Sequence, residues 1–225
     1  MILGIAFFSY IMQNFNEVLI NYDKKMGFVD YGSELQVWLN SLSKFTSKKP
    51  LPRSLVKKID GYFRFYWKND RLTGVTIDDQ YLKLMPKNLR YELIIHLFDD
   101  IFYTFRTFFM RQEFVDSQER FFFYKIAFYL LPRKVEAGEE ILAQGDDVNL
   151  MYFIMDGEIK VEFEYPGGKV TRYFLKGFYF GDYNTLYNKP AAFTYKATTN
   201  LFVYTIPYNK FSSLIPKYPA VHEKI

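Results

Sequence analysis

Near Pro132 the hydrophobic period of the chain changes, and no other feature limits the possible folds as much. Upstream, apolar residues recur every three or four positions, the spacing of a helix that buries one stripe. Downstream, in GEIKVEFEY, Ile159, Val161, Phe163 and Tyr165 alternate with Glu158, Lys160, Glu162 and Glu164, the two-residue spacing of a strand that buries one face. A chain written this way is neither a helical bundle nor an alternating βαβ protein. Helices, then short antiparallel strands, then a closing helix make an α+β fold.

The helical part reads as four segments. Leu35, Trp38, Leu39 and Leu42 form one stripe, with Ser33 as the expected cap and Gln36 three residues on. A second helix is expected after Pro50 and Pro52, burying Leu55, Ile59, Tyr62, Phe63 and Tyr66, with a break bracketed by Asn69 and Gly74. A third follows Pro86, with Leu89, Leu93, Ile94 and Leu97 as its buried stripe. The fourth runs from Ser117 to Leu131, with Phe122, Ile126 and Tyr129 at helical spacing and Pro132 as its stop. Beyond it, Pro166 to Gly168 supplies a hairpin turn and Val170 to Leu175 a return strand, which sets Lys169 and Arg172 across from the glutamates. Leu201 to Ile206 is a further strand, and a last helix starts near Tyr208, interrupted by Pro216 and Pro219.

Length and composition narrow the function. With 225 residues there is room for one domain and a sizeable appendage, and 25 Phe and 20 Tyr exclude a disordered chain. A net charge of +4, evenly spread, gives no footprint for nucleic acid, which is not expected as a partner. The absence of Cys removes disulfides, thiolate chemistry and Cys-based zinc sites, and fits a reducing compartment. The opening Met1 to Met12 is apolar but too short to span a bilayer alone, since a span needs ~20 residues. Length alone leaves it as the inner end of a spanning helix or as a short amphipathic helix.

From Pro132 to about Ile215 the chain resembles the cyclic-nucleotide-binding domain. The resemblance runs through AGEEILAQGDDVNLMYFIMDGEIKV, then FGD, then KATTNLFVYTI. It implies a jelly-roll-like antiparallel β-roll with flanking helices, in which Gly138, Gly145 and Gly157 serve turns of positive φ. Upstream, LPRSLVKKIDGYFRFYW and LMPKNLRYELIIHLF resemble the helical C-linker of voltage-gated and cyclic-nucleotide-gated cation channels. In those channels the linker joins the last pore helix to the nucleotide domain and forms a fourfold gating ring. On this resemblance residues 1–31 are the end of the pore-lining helix and its connection, 32–114 the C-linker, and 115–225 the nucleotide-binding homology domain without its final helix. Met1 to Met12 then stands at the membrane.

The same resemblance locates a ligand site. In nucleotide-binding members an FGE turn opens a short helix whose N–H groups face the cyclic phosphate, the Glu binds the ribose hydroxyl, and an Arg nine residues later pairs with the phosphate. The matching residues here are Phe180, Gly181 and Asp182, then Ala191, Ala192 and Thr194. Asp182 is one methylene shorter than Glu, and Ala191 stands at the Arg position. Lys196 is expected on the opposite face of its strand, and Lys189 lies in a turn. Neither offers the guanidinium fork. Loss of one partner of a buried charged pair costs ~2–5 kcal/mol, which moves a micromolar site toward millimolar. Weak or absent binding of cyclic AMP and cyclic GMP is therefore expected, as in channels of the ether-à-go-go kind, and no cofactor.

Elsewhere the sequence suggests no catalytic or metal constellation. His96 reads as a packed helix residue. Asp78–Asp79 and Asp99–Asp100 suit helix ends, and Asp146–Asp147 a turn. The basic cluster Lys44, Lys48, Lys49, Arg53, Lys57 and Lys58 is a solvated face or, beside a membrane, a contact for anionic lipid or a neighbouring subunit. The aromatic runs YFRFYW and FFFYKIAFY exceed what one helix face buries, so part of them is expected to meet another subunit or protein. These features suggest no enzyme, and the resemblance implies the cytoplasmic regulatory region of a tetrameric, homo- or heteromeric voltage-gated channel, with potassium the expected ion. The alternative is a non-channel scaffold or interaction module derived from such a channel.

Overall fold

The computed structural model describes residues 31–42, 51–72, 79–109 and 117–219. The expectations for Met1 to Met12, Lys44, Lys48, Lys49, Gly74, Asp78 and His222 lie outside the described residues. The chain divides into two compact units, Met1–Tyr62 and Phe63–Ile225.

In the first unit, helix α1 spans Tyr31–Leu42 and buries Leu35 and Leu39, one turn apart. Trp38 remains 49% exposed. The helix begins at Tyr31, so Ser33 lies inside its first turn rather than before it, and Gln36 Nε2 donates to Asn40 Oδ1 at 3.2 Å. Helix α2, Arg53–Asn69, starts as expected after Pro52, whose carbonyl accepts from the Val56 amide. None of its side chains is fully buried. Leu55 and Tyr62 of the expected stripe are exposed, as are Arg53, Lys57 and Lys58.

In the second unit α2 ends at Asn69, whose side-chain Nδ2 donates to the Phe65 carbonyl in the last turn. A short helix α3, Gln80–Leu84, follows a cap at Asp79, whose carboxylate accepts from the Tyr81 and Leu82 amides. Helix α4, Lys87–Leu97, packs on α7, Ser117–Ala127, where the Tyr91 ring meets Phe121 at 5.4 Å and Tyr124 at 4.9 Å, and it buries Ile94. Leu89 and Leu93 face outward, so the buried stripe is narrower than its spacing suggests, and His96 is exposed rather than packed. Helices α5, Asp99–Thr104, and α6, Arg106–Phe109, come between. The expected fourth helix stops at Ala127, and Leu131 already opens strand β1, Leu131–Val135. Pro132 thus lies inside a strand instead of stopping a helix. β1 is the edge of its sheet, where a missing N–H is tolerated.

The remaining elements are β2, Glu140–Leu142; β3, Leu150–Asp156; β4, Ile159–Tyr165; β5, Gly168–Phe174; β6, Tyr179–Phe180; α8, Asp182–Tyr187; β7, Thr194–Ala197; β8, Leu201–Pro207; and α9, Tyr208–Leu214, which passes into a 3-10 turn at Ile215–Lys217. They form two antiparallel four-stranded sheets, ordered β1-β8-β3-β6 and β2-β7-β4-β5. This is the β-roll, flanked by helices. The β4–β5 register runs from Ile159 opposite Phe174 to Tyr165 opposite Gly168. Lys169 lies 3.0 Å from both Glu162 and Glu164, but Arg172 falls opposite Val161, on the other face from the glutamates.

Strand β3 buries both its faces, which explains why LMYFIM is continuously apolar. Met151, Phe153 and Met155 face a helical core with Phe98, Phe102, Phe105, Phe122 and Ile126, while Tyr152 and Ile154 face the roll interior with Val135, Ile159 and Val203. Phe105, Phe108 and Phe109 each place a ring within 5.3 Å of Phe153. Phe122, Phe123 and Tyr124 are buried as well, so the middle of FFFYKIAFY is core, while Phe121, Phe128 and Tyr129 are only partly buried.

Helices and roll also share a polar junction. Arg71, just past α2, donates to the Leu97 carbonyl at 2.7 Å and to the Asp100 carboxylate at 2.6 Å. Its Nε approaches the Tyr204 hydroxyl on β8 at 3.4 Å, and that hydroxyl donates to the Asn69 carbonyl at 2.7 Å. Beside it, Phe65 of α2 meets Phe202 edge-on at 5.3 Å. Among the described residues no helix is long and apolar enough to cross a membrane.

Candidate ligand site and its aromatic interior

The turn after β6 is shaped by Gly181. It is buried and holds φ +88°, and a Cβ there would stand 2.6 Å from the Leu150 carbonyl oxygen. Only glycine fits both the left-handed backbone and the close approach to β3. Asp182, half-buried, is the first residue of the six-residue helix α8. The helix ends at Asn188, itself left-handed, and the Asn184 side-chain Nδ2 donates to the Pro190 carbonyl at 2.6 Å, drawing the following loop back over the helix.

That loop is fixed by its backbone. The Ala191 amide donates to the Asp146 carbonyl and the Ala191 carbonyl accepts from the Gly145 amide, both at 2.8 Å. Asp146 braces its own turn by accepting from the Ala143 amide. Ala191 is therefore seated against the roll and 3% exposed, in one apolar cluster with Phe180, Tyr152 and Tyr195. Thr194 is half-buried and its hydroxyl accepts from the Gln144 amide, while Ala192 is exposed and outside the cluster. Lys189 is exposed. Lys196 lies on the outer face of β7, between the inward Tyr195 and Ala197.

Of the residues expected at the site, Phe180, Gly181, Asp182 and Ala191 come together at one end of the roll. Sequence reasoning missed Tyr152 and Tyr195, which complete this group. Phe180 lies between them, parallel to Tyr152 at 4.8 Å and 7°, and to Tyr195 at 4.2 Å and 9°. The stack crosses the roll, since Tyr152 and Phe180 belong to one sheet and Tyr195 to the other. At its far end Arg133 reaches the Tyr152 hydroxyl at 3.5 Å and Glu139 at 3.2 Å. Burial, and after it the charge of Asp182, push the Tyr195 phenol up to about 12. Burial also raises Tyr152, against the lowering effect of Arg133. The signal for Tyr195 was present in the sequence: if Lys196 faces out, its neighbour faces in.

The family model described as cyclic nucleotide-binding domain matches residues 132–218. Among curated proteins there is no match. Similar solved structures include a proposed cAMP-binding regulatory protein from Silicibacter pomeroyi DSS-3, 26% identical over 41% of this chain and 43% of that one, with a TM-score of 0.38. Another is the regulatory subunit of a cAMP-independent protein kinase A from Trypanosoma brucei, 18% identical over 60% of this chain and 47% of that one, with a TM-score of 0.46. The chain thus spans less than half the length of either structure. From the matched family model and the two-sheet roll that carries the glycine turn, we conclude that residues 132–218 are a cyclic nucleotide-binding domain.

Proposed function

We propose that the chain is the cytoplasmic-side regulatory region of a tetrameric voltage-gated channel, in which the roll governs the pore through the helices before it. Residues 1–31 would then be the end of the pore helix, 32–114 the C-linker, and 115–225 the nucleotide-binding homology domain. The observation that carries this reading is the Arg71 junction, because it ties the end of α2 and the α4–α5 corner to strand β8 of the roll. A displacement of the roll is passed to the helices through these bonds and the helical core behind them. Exposed Tyr81, Leu84, Leu89 and Leu93 on α3 and α4 give a neighbouring subunit an apolar surface, and the basic residues Arg53, Lys57 and Lys58 suit anionic lipid or an acidic neighbour. With Ala191 in place of a phosphate-pairing Arg, the domain does not respond to cyclic AMP or cyclic GMP.

The test is electrophysiological. The complete gene product is expressed in oocytes, and its voltage of half-activation is compared with that of Tyr204→Phe and Arg71→Met forms, with and without cyclic nucleotide in excised patches. A voltage-gated current shifted by the junction changes and indifferent to nucleotide supports the reading. A gene product that carries no current removes it in favour of a scaffold.

A further inference from the structure

The interior of the roll is arranged around the stack of Tyr152, Phe180 and Tyr195, and its geometry bears on what the site can hold. The Phe180 ring is covered on both faces, by Tyr152 at 4.8 Å and by Tyr195 at 4.2 Å. A base entering between Phe180 and Tyr195 would require roughly double that separation, since each ring face needs ~3.5–4 Å to its neighbour. Tyr195 is 7% exposed and Phe180 3%, so both rings sit within packed structure. Ala191 adjoins them at 3% exposure, and a longer side chain at 191 would be directed into the same apolar cluster.

We propose that Tyr195 closes the candidate site from within: its ring, laid on Phe180 beside Ala191, takes the volume over the 180–182 turn that a cyclic nucleotide would need. The inference rests on the reading that the site takes no nucleotide and adds a second cause to it. On the first cause alone, an arginine at 191 restores binding. On the second, it does not, because the arginine is given a charge to pair but no space in which to pair it. The site then needs two changes, one for charge and one for volume. Burial first, and the charge of Asp182 second, raise the Tyr195 phenol, in keeping with a ring packed beside the 180–182 turn.

The test is calorimetric titration of the 225-residue chain with cyclic AMP and cyclic GMP, in four forms: unaltered, Ala191→Arg, Tyr195→Val, and both together. Far-UV circular dichroism and thermal melts establish that each is folded. The unaltered chain and both single variants are expected to give no binding heat up to millimolar nucleotide, and the double variant to bind at least tenfold more tightly than Ala191→Arg. If Ala191→Arg alone binds within threefold of the double variant, Tyr195 is no barrier and the proposal fails while the reading of a silent site stands. A folded double variant that remains silent overturns the proposal as well. Binding by the unaltered chain at micromolar nucleotide defeats both. Should Tyr195→Val prevent folding, Tyr195→Leu takes its place, and the unaltered chain supplies an independent reading. Nuclear Overhauser contacts between the Tyr195 and Phe180 rings should persist in millimolar cyclic AMP, and their loss on adding nucleotide would show that the ring is displaced.

Discussion

Replacing Tyr204 by Phe tests whether the helices and the roll are held together by the polar junction or only by the apolar core. The ring is 1% exposed and stays in place, so the change removes a hydroxyl and nothing else. That hydroxyl donates at 2.7 Å to the carbonyl of Asn69, the last residue of α2, and its loss leaves that carbonyl short of a partner. One good hydrogen bond with a partly buried orphan acceptor amounts to about 1–2 kcal/mol. Arg71→Met removes the bonds to Leu97 and Asp100. Asp100 is 52% exposed, so solvent already weakens that pair and the expected loss is again about 1–2 kcal/mol. The direct contact between the two residues is long, 3.4 Å, and their coupling in a double-mutant cycle should be about 0.5 kcal/mol or less. Urea denaturation reads these losses as midpoint shifts of roughly 0.5–1 M at an m-value of about 2 kcal/mol per molar. If Tyr204→Phe shifts the midpoint by under about 0.1 M, the hydroxyl contributes nothing and the junction argument is wrong. A coupling above about 1.5 kcal/mol would mean that Arg71 and Tyr204 act as a single unit, against the distances.

Three further outcomes are expected. Gly157→Ala places a methyl 2.6 Å from the Asn200 carbonyl oxygen at a residue with φ +95°, so strain and overpacking together should cost about 2–4 kcal/mol and lower the melting temperature by roughly 5–15 °C. Gly181→Ala meets the Leu150 carbonyl at the same distance and should lower the melting temperature comparably, with a change in near-ultraviolet dichroism as the adjoining Phe180 stack is displaced. Because Tyr195 keeps its proton up to about 12 in the fold but releases it near 10 in the unfolded chain, its contribution is complete below pH 10 and is lost as pH rises toward 12. The alkaline stability slope should fall by up to about 1.4 kcal/mol per pH unit in Tyr195→Phe, measured by urea denaturation across that window.

Much of the fold was legible where one physical signal acted alone. The alternation from Ile159 to Tyr165, the turn at Pro166 and the start of α2 after Pro52 each followed from local chemistry. The sequence misled where a tertiary partner decided. Leu89 and Leu93 have helical spacing but are exposed, while Tyr91 of the same helix makes the ring contacts with α7. Pro132 reads as a helix stop, yet it sits on an edge strand that can spare its N–H. At the site, the glycine turn and the position of Ala191 were located by the family resemblance. The filling of the interior was not, because which aromatic rings stack depends on two sheets meeting, and neither strand alone encodes that meeting.

Ala191 holds its place in the roll through two main-chain bonds to the Gly145–Asp146 turn, and none of that attachment depends on what its side chain is. The loop's path is thus separated from the chemistry it displays. A substitution at 191 therefore leaves these two main-chain tethers chemically unaltered, while the packed cluster around its nearly buried methyl limits which side chains can be seated on the same frame.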